Sequence, residues 1–180
     1  YHGLSKMAKE DVEAVVAYLR SLKPIEGSYP ARELFIPAAA FGPLPDVDYK
    51  KNTKPDEADK VKYGEYLVTI AHCTDCHTPV TREMKPMMDK FLSGGQHFKL
   101  PTFEVTTSNI TPDSATGIGS WTNAMFVAKF RTNSTPEMLA PKPGKSNTLM
   151  PWSLYGTMKD NDLKAIYAYL RTVKPIKNKL

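Results

Sequence analysis

Apolar residues recur at the spacing of amphipathic helices in several parts of the chain, and they predict a helical fold. One predicted helix runs from Asp56 to Ala71, begins directly after Pro55 and contains Gly64. Another runs from Trp121 to Phe130, with Ser120 as its N-cap. We expect Gly64 to permit a close crossing with another helix, since glycine otherwise weakens a helix. The inward-facing residues of the second helix are predicted to be Met125, Phe126 and Phe130.

Two further helical stretches are near-copies of one another. Asp11 to Ile25 matches Asp162 to Ile176 at nine of fifteen positions, and both copies end in Lys-Pro-Ile, where proline stops the helix. A repeat separated by 151 residues, about the size of a domain, indicates duplication. Residues 1–25 are therefore expected to resemble the last helix of a preceding, similar domain. The alternative is a docking helix whose composition matches by coincidence.

Proline-rich stretches separate the helices and give the domain organisation. Residues 26–55 contain Pro30, Pro37, Pro43, Pro45 and Pro55, a density that excludes regular helix and predicts an extended linker. The expected division is a terminal helix at 1–25, a linker at 26–55 and a domain at 56–180. Within that domain, residues 80–100 and 132–149 are predicted to be loops.

The chemistry of the chain centres on one short motif. Cys73 and Cys76 are the only cysteines, and His77 follows directly, which gives the C-x-x-C-H pattern of c-type haem attachment. The spacing allows two thiols to add to one porphyrin while the histidine reaches the iron. A zinc site would need four ligands, a redox-active thiol pair favours a βαβ context, and a disulfide would close a strained loop. Covalent haem c is the favoured interpretation.

An iron held by His77 has a second axial position, and its occupant decides the chemistry. Met150 is the favoured ligand because it ends a proline-rich loop and is followed by Pro151. Met158 is set aside, since its counterpart in the repeat, Met7, indicates a packing role at a helix entry. The other contenders are Met84, Met87, Met88 and His97.

Composition and charge bear on location and partners. The 180 residues contain no apolar run long enough to span a bilayer. The chain opens on Tyr1, and covalent haem is normally installed on the oxidising side of the membrane, so we expect a targeting segment to have been removed or left out. The net charge is +5, and the excess of bases lies in residues 57–180. This favours an acidic redox partner, although scattered lysines would also serve solubility. Dispersed lysines without a binding motif argue against nucleic acid.

From about Lys62 to Ile176 the chain resembles class I c-type cytochromes. More narrowly, it is similar to the mono- and dihaem cytochromes that serve bacterial membrane-bound dehydrogenases and respiratory chains. The matching stretches are Tyr63–Val68, Cys73–Pro79, Ser108–Asp113, Thr116–Trp121, Met150–Trp152 and Asp162–Ile176.

The resemblance implies an all-α class I cytochrome c fold around one covalently attached haem c, with His77 and Met150 as axial ligands. It implies that Asn109, Thr111 and Trp121 line the haem near a propionate, with Arg131 as a further propionate candidate. Ile118 and Trp152 would press on the ring, or serve as ordinary core.

The implied function is single-electron transport in the bacterial periplasm or another extracytoplasmic space, within a multi-haem cytochrome or a dehydrogenase or respiratory complex. Such a protein is an oxidoreductase subunit and not itself an enzyme. The alternative is a haem enzyme, or a sensor of a gas or peroxide, with a labile distal ligand.

Overall fold

The structure is a computed structural model that describes residues 3–28, 30–31, 33, 48–140 and 148–180. The chain divides into two compact units, Tyr1–Lys54 and Pro55–Leu180. Much of the predicted linker and residues 141–147 of the predicted methionine loop lie outside the described residues.

The first unit contains helix α1, Lys9–Ser21, and a 3-10 turn at Tyr49–Lys51. Asn52 joins the two, because its side-chain amide donates to the carbonyls of Ser5 at 2.8 Å and Met7 at 3.0 Å. The backbone N–H of Lys9 donates in return to the Asn52 carbonyl. These bonds fix the start of α1, which itself buries no residue.

The second unit is mostly helical, as expected from the apolar pattern. Its helices are α2 (Lys60–Ile70), α3 (Cys73–His77), α4 (Asn123–Asn133), α5 (Pro136–Leu139), α6 (Trp152–Tyr155) and α7 (Asp160–Leu170). Among the described residues, no helix has the length and apolar character needed to cross a membrane.

The crossing of α2 and α7 confirms the prediction made for Gly64. A Cβ atom built on Gly64 would lie only 1.9 Å from the Ala165 carbonyl oxygen and 3.0 Å from Tyr169 Cβ. The two backbones therefore meet at a distance that only glycine allows. Beside this contact the Tyr63 hydroxyl lies 3.1 Å from Asp162 Oδ1.

Aromatic side chains join α4 to α7 and α6. Phe126 lies 5.3 Å from Tyr167 and 5.1 Å from Phe130, and Phe130 meets Trp152 edge-on at 5.4 Å between ring centroids. The prediction that Phe126 and Phe130 face inward is confirmed, whereas the same prediction for Met125 is wrong, because half of its surface is exposed.

The predicted start of the second helix is also wrong. The helix begins at Asn123, because the Thr122 hydroxyl accepts the Met125 N–H at 3.2 Å and is the N-cap in place of Ser120. Similarly, α2 begins at Lys60 instead of Asp56, because the Asp59 carboxylate accepts the Lys62 N–H.

A small antiparallel hairpin corrects the expectation of a purely helical fold and of a loop over residues 80–100. Strand β1, His97–Lys99, pairs with β2, Glu104–Thr106. Cross-strand contacts of His97 and Lys99 with Glu104, at 3.4 and 3.3 Å, stabilise the pair. The hairpin leads directly into Thr107 and Ser108, which lie beside the candidate site.

Candidate haem-attachment site

The two cysteines lie on the single turn of α3, immediately after a sharp bend. His72 adopts a left-handed conformation, with φ 56°, and its ring Nδ1 lies 2.9 Å from Asp75 Oδ2. Both thiols are free, and Cys76 is exposed. Burial raises the pKa of Cys73 to about 12 and also raises that of Cys76. Redox-active thiol pairs have a lowered pKa, so this environment disfavours a thioredoxin-like motif.

The His77 ring is fixed by a backbone carbonyl that the sequence did not reveal. Its Nδ1 lies 2.7 Å from the Ser108 carbonyl oxygen, so Nδ1 carries the proton and the Nε2 lone pair remains for a metal. Partial burial lowers the pKa of His77, and the hydrogen bond to Ser108 partly opposes this. The ring is therefore neutral at neutral pH, which is the ligating form.

Gly94 brings the Ser108 segment to this position. Its φ is 69°, and a Cβ there would lie 2.4 Å from the Thr107 carbonyl oxygen. Its N–H donates to the His77 carbonyl at 2.7 Å. Gly94 thus holds the backbone of His77 while the neighbouring segment holds its ring. The Gly94-Gly95 pair was the only signal of this contact in the sequence.

Tyr155, a residue that the sequence reasoning missed, ties α6 to the attachment turn. Its hydroxyl donates to the Ala71 carbonyl at 2.6 Å, at the bend before Cys73. Burial is the main cause that raises the pKa of Tyr155, so the hydroxyl stays protonated and remains a donor. At the other end of this segment, the Trp152 N–H donates to the Met150 carbonyl at 2.8 Å. Hydrogen bonds at both ends of α6 therefore connect Met150 to Ala71: Trp152 bonds to Met150, and Tyr155 bonds to Ala71.

Asn109 and Thr111 are buried together at the C-terminal tail. The Asn109 amide donates to Thr116 Oγ1 at 3.0 Å and to the Ile176 carbonyl at 2.7 Å, and its Oδ1 accepts from both the N–H and the hydroxyl of Thr111. The Ile176 N–H donates to Thr111 Oγ1 at 3.2 Å. In this structure their polar atoms have protein partners, and a contact with a propionate stays a prediction.

Arg131 lies in α4 and bonds to the segment that leads into α7. The Arg131 guanidinium donates to the carbonyls of Gly156 and, at 2.6 Å, Met158, and pairs with Asp160 at 2.5 Å. Arg131 therefore holds the start of α7, and its role at a propionate stays a prediction.

Ile118 is buried, and the carbonyl of the half-buried Trp121 accepts the Tyr167 hydroxyl. Trp121 also lines an open pocket along α4 that reaches Met125 and Met138. Lys129 Nζ lies 5.9 Å above the Trp152 ring. Trp121 and Trp152 thus both lie beside α4, and their contact with a porphyrin stays a prediction.

Of the other candidate axial ligands, Met84, Met88 and His97 have less favourable surroundings, whereas Met87 is half-buried like Met150. Met84 and Met88 are largely exposed, at 75% and 65% of their surface. Both ring nitrogens of His97 have partners within the hairpin, Thr106 Oγ1 at 3.1 Å and Glu104 Oε2 at 3.4 Å. Over the described ranges, no three His, Cys, Asp or Glu side chains converge as a metal site.

The donor set fits haem c on its own chemistry. It offers two free thiols on one turn and a neutral imidazole whose Nδ1 is already engaged, so that the remaining nitrogen can ligate iron. Met150, half-buried and joined to the same turn through α6, offers a thioether.

Comparison with known proteins agrees with this chemistry. The chain is 32% identical over 117 residues to the fructose dehydrogenase cytochrome subunit of Gluconobacter japonicus, covering 64% of this chain and 22% of that subunit. It is 30% identical over 122 residues to the cytochrome c subunit of a quinone alcohol dehydrogenase from Gluconobacter oxydans, covering 67% and 23%. For the gluconate 2-dehydrogenase cytochrome c subunit of Pantoea cypripedii the identity is 32% over 117 residues, covering 64% and 24%.

The chain thus spans less than a quarter of the length of these relatives. The profile of the family described as cytochrome c matches residues 61–174, which is well over half of the chain. With its free Cys73 and Cys76 and its oriented His77, the chain belongs to the cytochrome c family.

Proposed function

We propose that residues 56–180 carry one haem c and transfer single electrons within a dehydrogenase or respiratory complex. In this proposal Cys73 and Cys76 form the thioether bonds, and His77 and Met150 are the axial ligands. The observation that carries it is the 2.7 Å contact between His77 Nδ1 and the Ser108 carbonyl, which engages Nδ1 and leaves the Nε2 lone pair for a metal. Haem bound here would supply an iron that exchanges one electron between its ferrous and ferric states.

Three residues would each position a different part of such a site. Ser108 fixes the tautomer of His77 and raises its basicity as a ligand. Gly94 holds the His77 backbone, and Tyr155 joins the Met150 segment to the attachment turn. None of these groups takes part in bond making on a substrate, which is the expectation for an electron carrier.

The surroundings of this domain are proposed from the relatives' names and from charge. Three relatives are named as dehydrogenase cytochrome subunits, and one, from Cereibacter sphaeroides, as a dihaem cytochrome c. We propose that the chain serves a multi-haem subunit of such a complex in the periplasm, where covalent haem is installed, and that the complex is associated with a membrane. The basic excess of residues 57–180 supports docking to an acidic redox partner.

Visible spectroscopy of the purified natural protein and of a Met150→Ala variant tests the assignment. We expect the ferric protein to show the weak far-red band of methionine ligation, and the variant to lose it, to bind carbon monoxide readily and to have a lower midpoint potential. Met158→Leu is the matched control and should keep the band. Retention of the band in Met150→Ala, or rapid binding of carbon monoxide by the unaltered protein, would overturn the proposal; the latter would favour a ligand-binding haem protein.

A further inference from the structure

Helix α1 presents an apolar face that the described residues leave exposed. Val15, Val16, Leu19 and Leu22 have 48%, 45%, 58% and 49% of their surface exposed. We call these four residues the α1 face. Within the repeat, the counterparts of the first three are Ile166, Tyr167 and Leu170, which are buried. The same sequence pattern is therefore core in one copy and surface in the other.

The buried copy also shows which partner the neighbouring side of the helix fits. Three contacts mark the crossing of α7 with α2: Asp162 with the Tyr63 hydroxyl, Ala165 with the backbone at Gly64, and Tyr169 Cβ beside the same glycine. The residues of α1 at these three positions are Asp11, Ala14 and Tyr18, and all three are identical to their counterparts. The repeat thus retains the side chains that recognise a Tyr-Gly pair on a crossing helix.

The identity extends beyond the helix to residues that α7 and its tail use against the rest of the cytochrome unit. Arg171 donates to the Gly119 carbonyl at 2.6 Å, and the Ile176 backbone bonds Asn109 and Thr111. Their counterparts, Arg20 and Ile25, are again identical. Ile25 is nevertheless 89% exposed, so the described residues supply no equivalent of the loop that meets Ile176.

We infer that α1 docks on a second cytochrome c domain. Asp11, Ala14 and Tyr18 would meet a helix of the α2 kind with a Tyr-Gly pair at the crossing, and the α1 face would pack against the rest of that domain, as Tyr167 packs against Phe126 of α4. The inference rests on the proposed function only in assuming a multi-haem parent. Because α1 corresponds to α7, which ends its own unit, the rest of that second domain would precede α1 along the polypeptide. A second copy of this chain is a poor occupant, since its α2 is already covered by its own α7.

Photo-cross-linking in the natural full-length gene product tests the occupant. We expect Val15→p-benzoylphenylalanine to cross-link within the same polypeptide, to a domain upstream of residue 1 that carries a Tyr-Gly helix followed by a second Cys-x-x-Cys-His motif. The matched control is the same replacement at Glu13, whose counterpart Lys164 is exposed in α7. It should give no such cross-link.

Three outcomes would overturn the inference: a reading frame without that upstream helix, a cross-link from position 15 to residues 26–180, or a cross-link between two copies of the protein. Hydrogen exchange gives a second readout without substitution. In the full-length protein we expect the amides of residues 15–22 to exchange on the order of a hundredfold more slowly than in the 180-residue chain. Equal exchange would contradict the proposed docking.

This outcome is separable from the fate of the proposed function. The spectrum of a haem at Cys73 to His77 reports on residues 56–180 alone. An absent methionine band would defeat the axial assignment and leave the cross-link from position 15 unchanged. Conversely, a missing cross-link would remove the docking helix while the spectrum of the 56–180 domain stayed normal.

Discussion

At the scale of single residues, one phenolic hydroxyl links the segment that carries Met150 to the turn that carries Cys73. Replacing Tyr155 by phenylalanine removes the 2.6 Å bond to the Ala71 carbonyl and little else. We expect the free energy of unfolding to fall by about 1 kcal/mol, the usual value of one neutral hydrogen bond. We also expect a shift in midpoint potential and a weaker methionine band, because the Met150 segment would no longer be held against the attachment turn.

Tyr63→Phe is the matched control for that experiment. It too removes a tyrosine hydroxyl, together with its hydrogen bond to Asp162 at 3.1 Å, but at the crossing of α2 with α7. It should reduce stability to a similar extent and leave the band and the potential unchanged. If both variants shifted the potential equally, Tyr155 would act through general stability and not through the position of the Met150 segment.

Asp113 gives a prediction about pH. Its Oδ1 accepts hydrogen bonds from the hydroxyl and N–H of Thr116 and from the N–H of Ala115. These bonds, those of the Thr116 side chain first, lower the pKa of Asp113 below its ordinary value of 3.8. The carboxylate of Asp113 therefore binds a proton more readily in the unfolded chain than in the folded protein. Its contribution to the free energy of unfolding is complete above pH ~4 and is lost as the pH falls through its lower pKa in the folded protein.

Urea unfolding between pH ~5 and pH ~2 measures this contribution. Asp113→Asn should be less stable than the unaltered protein at pH ~5, and the difference should shrink as the pH falls. Asp89→Asn removes an exposed carboxylate outside this turn and should keep the original pH profile. A constant difference between Asp113→Asn and the unaltered protein at all pH values would contradict the linkage.

The residues of the site differ in how far sequence could predict them. Cys73, Cys76 and His77 could be named as haem-attachment candidates, because attachment chemistry demands those side chains at that spacing. The acceptor of the His77 ring was not, because it is the carbonyl of Ser108, and a backbone group leaves no signature in residue type. Tyr155 was missed for a related reason: its partner is the carbonyl of Ala71, 84 residues away in the chain.

At the scale of elements, the crossing of α2 and α7 depends on the absence of one methyl group. In an isolated helix Gly→Ala would stabilise by about 1 kcal/mol. At Gly64 the added Cβ would meet the Ala165 carbonyl oxygen at 1.9 Å, so two backbones must separate. We expect Gly64→Ala to lower the free energy of unfolding by about 3 kcal/mol, an overpacking cost, measured by denaturant unfolding.

The neighbouring exposed position supplies the control. Glu65→Ala shortens an exposed side chain of α2 and adds no atom at the crossing, so it should change stability by less than about 0.5 kcal/mol. A neutral or stabilising effect of Gly64→Ala would show that there is room for a Cβ atom between α2 and α7, and would contradict the close approach of their backbones.

The elements that sequence predicted share a property that the missed ones lack. Helices α2, α4 and α7 each have an apolar pattern over about eleven residues, and Gly64 stood out within such a pattern. Strands β1 and β2 are three residues each, which is too short for an alternation of apolar and polar residues to be recognised in the sequence. They are held by cross-strand pairs with Glu104. The cap of α4 was placed two residues early because Ser120 and Thr122 are chemically equivalent as caps, and only the backbone path chooses between them.

At the scale of the whole molecule, the net charge of +5 predicts how the protein meets small charged redox reagents. The base excess lies in the residues that form the haem unit, so a negative reagent should be drawn toward that unit at low ionic strength. We expect the oxidation of the reduced protein by ferricyanide, followed by stopped flow, to slow several-fold between ~10 mM and ~300 mM salt. Over that range the Debye length shrinks from ~30 Å to below ~8 Å, which screens the attraction.

A cationic oxidant of similar driving force, tris(phenanthroline)cobalt(III), is the matched control for the sign of the charge. Repulsion slows its encounter at low salt, so its rate should rise as salt is added. Opposite slopes would show that an overall positive field governs approach to the site, which is the property that an acidic partner would exploit. Parallel slopes, or slopes near zero for both reagents, would mean that the bases of residues 57–180 lie too dispersed to steer a partner and serve solubility instead.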